Sequence, residues 1–70
     1  MMPLAFANVG EEMIIQRIGG NEASRKHLEN LGFVVGHTVT VLSTNGGNLI
    51  VKVKECRVAI SHEMAAKIMV

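Results

Sequence analysis

The side chains best equipped for chemistry in this chain are His27, His37 and His62, a single cysteine, Cys56, and six glutamates, with no aspartate. The stretch HEMAA at 62–66 opens like the zinc-binding H-E-x-x-H helix, in which two imidazoles one helical turn apart hold the metal on one face. Ala66 stands where the second imidazole is required. No two of the histidines or Cys56 are spaced as i, i+4 or as C-x-x-C, so His27, His37, His62, Cys56, Glu55 and Glu63 predict no dedicated metal site. Glu11 and Glu12 form the only adjacent carboxylate pair. On an extended segment they point to opposite faces and cannot act on one substrate bond. Gly46 and Gly47 lack the G-x-x-x-x-G-K context of a phosphate loop and read as a hairpin turn. Cys56 is expected as a small apolar residue within a strand, and Met13, Met64 and Met69 as fillers of core gaps. Without a catalytic constellation, the chain is expected to be no enzyme.

Its bulk properties point the same way. Seventy residues make one domain, 1–70, too small for a deep cleft and able to bury only about 60% of the surface exposed on unfolding. A core drawn from 49% apolar but only 3% aromatic residues must be packed by Val, Ile, Leu, Met and Ala. The formal charge of +1 falls far short of the concentrated basic face that a phosphate backbone demands, which disfavours nucleic acid as partner. One cysteine cannot form an internal disulfide, and MMPLAFANVG lacks the positive start and cleavage site of a secretory signal. A cytoplasmic chain without direct membrane insertion is expected.

Hydrophobic periodicity supplies the elements. EEMIIQRI (11–18) reads as a first strand ending at Gly19 and Gly20. NEASRKHLENL (21–31) is the one clear α-helix, with Asn21 as N-cap, Ser24, Leu28 and Leu31 on one face, and Gly32 just past its end. Val39, Val41, Leu49, Val51 and Val53 alternate with polar partners around the turn cluster STNGGN (43–48), which predicts a hairpin. CRVAI (56–60) follows as a strand, Ser61 caps a short helical turn near 62–66, and KIMV (67–70) is a last short strand. The sum is a mainly β chain, a small closed barrel of about five short strands with one α-helix.

RKHLENLGFVVG resembles the central signature of the FeoA family of bacterial ferrous-iron transport proteins: basic residues, Leu, two variable residues, Leu-Gly, an apolar pair and Gly. Leu28, Leu31, Gly32 and Gly36 fall on it. Gly10, Ile15 and Ile18 are similar to the family's upstream positions, and Ala59, Ile60, Ala65, Ile68 and Val70 to its ending. Many members carry proline where this chain has Val35, which leaves that turn less constrained. The resemblance implies an SH3-like barrel, no catalytic residues, no cofactor beyond weak ferrous or other transition-metal binding, and a cytoplasmic accessory or regulatory role. It also implies a partner, a FeoB-type membrane iron transporter carrying a cytoplasmic guanine-nucleotide-binding domain, which would hold the protein at the inner face of the membrane.

The residues themselves suggest where such a partner docks. Lys26 and Glu29 on the exposed helix face flank the apolar loop pair Val34 and Val35, and apolar loop residues are unusual when solvated. Two other readings compete: an SH3-like regulatory domain like that at the C-terminus of DtxR-type iron-dependent repressors, which a preceding DNA-binding segment would mark, and a small metal carrier, which needs a defined ligand set. Calorimetry with ferrous iron or zinc is expected to show only weak binding without a defined stoichiometry; one tight site abolished by His62→Ala or Cys56→Ser would establish the carrier instead.

Overall fold

A computed structural model describes residues 1–70. In chain order, a single 3-10 turn at Leu4–Phe6 precedes β1 (Glu12–Ile14), β2 (Arg17–Ile18), α1 (Glu22–Asn30), β3 (Thr38–Asn45), β4 (Asn48–Val53), β5 (Cys56–Ser61), α2 (His62–Ala65) and β6 (Ile68–Met69). All pairings are antiparallel, in a four-stranded sheet of order β1-β3-β4-β5 and a ribbon of β2 with β6.

The expected first strand over 11–18 is therefore two strands in different sheets, which raises the count to six. The alternation breaks where the chain changes sheet: Ile15 is buried, whereas Gln16 and Arg17 are both exposed. Ile15 donates its N–H to His37 O at 2.9 Å, and the next residue, Gln16, donates to Met69 O at 2.8 Å, so consecutive residues serve different ladders. The hydrogen-bonded ladder does not close into a barrel, and β1 and β5 remain as edges. The segment before β1, unassigned from sequence, inserts Leu4 into the core. Met2 and Val70 exchange both backbone hydrogen bonds, at 2.9 and 2.8 Å, which ties the start of the chain to its end.

The core is a single cluster of twelve buried apolar residues with no buried polar side chain among them. Val39 and Val41 of β3 meet Val53 and Val51 of β4 across the sheet, as the period-2 pattern requires. Between Val41 and Ser43 the register shifts by a bulge that accommodates Leu42. The hairpin turn is tighter than the cluster 43–48 implied: Asn45 pairs with Asn48, leaving Gly46 and Gly47 alone to turn. The next hairpin bears no turn signature at all. Lys54 and Glu55, at φ +50° and +63°, link Val53 to its partner Cys56 in two residues, the left-handed pair of a type I′ turn. Cys56 lies in a strand as expected, at the start of β5, but is exposed rather than packed as a small apolar residue.

Helix α1 is capped at both ends by its own sequence. Asn21 Oδ1 accepts the Ser24 N–H at 2.8 Å. At the other end Gly32, at φ +108°, donates to Glu29 O at 2.9 Å, and Phe33 donates to Leu28 O at 3.0 Å. These two bonds form a Schellman closure, and Phe33 folds back into the core as its apolar contact. Ser61 Oγ caps α2 in the same manner as Asn21, accepting from Met64 N at 3.1 Å.

Two expectations follow. Gly32→Val, which forces a β-branched residue into the left-handed region and places its Cβ about 3.5 Å from Val53 Cγ1, should cost about 1 kcal/mol or more. Lys26→Ala on the exposed face should stay within about 0.5 kcal/mol, and equal thermal midpoints for the two would refute this closure. The pair Lys54→Asn with Glu55→Gly relieves two left-handed side chains and should stabilise the fold by about 1 kcal/mol; an unchanged or lower urea midpoint would count against it.

Candidate functional site

One groove of about 490 Å³ lies between α1 and the loop that follows it, lined by Ile18, Glu22, Arg25, Lys26, Glu29, Phe33, Val34 and Val35. Positions 22, 25, 26 and 29 recur with helical spacing, so these charged side chains form one exposed stripe. The opposite stripe, Ser24, Leu28 and Leu31, turns inward, with Leu28 fully buried. That burial fixes the rotation of the helix and hence the groove's charged wall. Lys67 Nζ steadies the first turn by donating to Ser24 Oγ at 3.4 Å.

The apolar wall is set by the joint. Buried Phe33 forms the floor, half-buried Ile18 of β2 closes one end, and Val34 with Val35 form the lip. His37 N donates to Val34 O at 3.0 Å, and Gly36, third in this four-residue turn, sits at φ +94°. That combination is the pattern of a type II turn, in which proline is common at the second position. Val35 occupies that position and the turn closes without proline. Gly36 N donates to Ile15 O at 2.9 Å, so the lip is anchored to the buried residue that joins β1 to β2. Val35 is 57% exposed at the tip.

Lys26, Glu29, Val34 and Val35, singled out from sequence, thus line one concavity. Ile18, Glu22, Arg25 and Phe33 were not singled out as part of it. The stripe spacing marks Glu22 and Arg25 as neighbours of Lys26 and Glu29, while no local signal brings Ile18 there, since β2 reaches the helix only through the switch of sheets. The signature positions are structural: Leu28 and Ala65 are buried, Leu31 packs against the core, and Gly32 and Gly36 take left-handed turns.

Potential metal ligands are dispersed. His27, His62 and Cys56 are exposed on different elements, and His62 meets Phe6 edge-on with ring centroids 6.2 Å apart. His37 is half-buried, its Nδ1 without a hydrogen-bond partner. No three of His, Cys, Asp or Glu gather in one place. Across the outer face of the sheet, Glu12, Thr38, Thr40, Lys52, Lys54 and Glu55 line a wholly polar depression of about 210 Å³. No helix is long and apolar enough to cross a membrane.

The FeoA domain model matches residues 2–70. The chain belongs to the FeoA family. It is 36% identical, over its full length and 85% of the relative, to a protein of Methanocaldococcus jannaschii inferred to be Fe(2+) transport protein A. A crystal structure of an iron uptake regulatory protein, FeoA, superposes with a TM-score of 0.90 at 31% identity, covering 97% of this chain and 90% of that one. The zinc complex of Stenotrophomonas maltophilia FeoA, described as a prokaryotic SH3 domain protein, gives a TM-score of 0.79 at 27% identity over 99% and 88% of the two chains. The fold is therefore SH3-like, as the resemblance implied, although its strands do not close by hydrogen bonding. The same fold forms part of a manganese-dependent transcriptional repressor, with a TM-score of 0.86 at 17% identity over 94% of this chain and 38% of that chain. The family links this chain to ferrous iron transport.

Proposed function

We propose that this protein is a small, non-enzymatic, cytoplasmic accessory or regulatory module of ferrous iron uptake, which works by binding the cytoplasmic guanine-nucleotide-binding part of a FeoB-type transporter. The observation that carries this reading is the groove between α1 and the loop, where an apolar lip and floor lie beside a wall of mixed charge. An apolar centre with a polar rim suits a modest, reversible protein contact, because the apolar contacts supply affinity and the charges select the partner. With two acidic and two basic side chains, the rim favours a partner surface of mixed charge over a uniformly charged one. The role needs no resident cofactor, and any metal binding is weak and incidental to it.

Titration of the labelled protein with the transporter's soluble domain, followed by amide NMR with and without guanine nucleotide, is expected to shift resonances of Arg25, Lys26, Glu29, Val34 and Val35 first. The double change Val34→Ser with Val35→Ser should leave the thermal midpoint close to the parent's, since neither residue is fully buried, yet weaken binding by about tenfold or more. A folded double variant that binds as well as the parent would move the interface elsewhere. If neither protein binds in any nucleotide state, direct contact with the transporter is refuted.

A further inference from the structure

Strand β5 is the last strand of its sheet, and one whole side of it is unpaired. The two-residue turn at Lys54 and Glu55 makes Val53 and Cys56 a hydrogen-bonded pair, so Val51–Val58 and Leu49–Ile60 follow as such pairs by alternation. His62 N bonds to Gly47 O at 2.6 Å, which continues the same series. Arg57, Ala59 and Ser61 therefore aim their backbone N–H and C=O groups outward, away from β4. CRVAIS holds no proline, lysine or bulge, its one charged side chain is Arg57, and Ala59 is exposed and small enough to admit another backbone.

A second, separate observation concerns the inward side of the same strand. Cys56, Val58 and Ile60 share the face that carries Val53, Val51 and Leu49 on β4. All three β4 residues are buried, and so is Ile60, but Val58 is only half-buried and Cys56 is exposed. The core layer thus ends uncovered along the first half of β5.

We propose that β5 pairs antiparallel with β5 of a second copy of this chain, about a two-fold axis at Val58, to form one continuous eight-stranded sheet. In this register Arg57 exchanges both backbone bonds with Ala59 of the second copy, and Ala59 does so with Arg57, satisfying the outward groups. Cys56 lies opposite Ile60 of the second copy and Val58 opposite its own counterpart, which covers the uncovered inward positions with apolar side chains. Other axes do worse. A two-fold at Arg57 sets two guanidinium groups directly opposite each other, and one at Ala59 sets Cys56 against the start of α2. The occupant is a second copy because the strand is complementary to itself in this one register. A single strand pair buries less than the roughly 1,200 Å² of a stable interface, so the dimer is weak and reversible.

Analytical ultracentrifugation of the full chain should show the mass rising from 7.6 kDa towards twice that value as concentration is raised to about 1 mM. Ala59→Pro removes one outward N–H at a position where an edge strand tolerates proline, and should hold the protein at monomer mass with its circular dichroism unchanged. A parent chain that stays monomeric, or a folded proline variant that dimerises equally well, overturns the proposal. Should the proline variant misfold, cross-linking decides. In the Cys56→Ser background, mild oxidation should join copies carrying Val58→Cys, whose Cα atoms oppose each other within disulfide reach, and not copies carrying Ala59→Cys. Equal cross-linking of both, or of neither, refutes the two-fold at Val58.

Discussion

The reversal at Gly32 is the constraint on which the rest of the site depends. Leu28 and Phe33 are buried on either side of it, so helix and loop are pinned to the same core by residues five positions apart. With Leu28 inward, Glu22, Arg25, Lys26 and Glu29 must face out; with Phe33 inward, Val34 and Val35 must pass over its ring. The groove is a by-product of ending a helix this way. A side chain at position 32 would meet Val53 on β4, which also couples the helix end to the centre of the sheet.

A chain this short can bury only twelve residues completely, and it gains rigidity by making single residues serve two structures. Ile15 bonds through its N–H to His37 O and through its carbonyl to Gly36, so it belongs to the sheet and to the loop together. Lys67 lies just before β6 and reaches Ser24 in α1. Such shared residues explain how an apolar loop remains at the surface without collapsing onto the core.

Much of this was legible in the sequence because the decisive signals are local. Asn21, Ser61 and Gly32 cap or close helices through bonds to residues within four positions, and the Val39–Val41 and Leu49–Val53 alternation follows from strand geometry alone. What escaped is non-local or contrary to propensity. The division of 11–18 between two sheets depends on Met69, far along the chain. Leu4 joins the core only because the ends pair. The turn at Lys54 and Glu55 uses residues that composition would not choose for a left-handed pair, so it left no mark. The exposure of Cys56 was not legible because a strand's pattern shows which residues share a face, and not whether anything covers it. Lys26, Glu29, Val34 and Val35 share one concavity because helix and loop are contiguous, whereas Ile18 comes from β2.

The pairing of Met2 with Val70 makes the chain topologically near-circular. Its two ends leave the domain side by side, so a longer polypeptide could enter and leave it at one point with no change to the core. That geometry suits a self-contained cassette that can be placed inside or beside other modules with only a short connection on each side. The likeness to part of a longer repressor chain shows the same fold carried within a larger polypeptide. The ends could equally be joined directly and the chain reopened at the exposed Gly46–Gly47 turn, giving a permuted protein with every core contact retained.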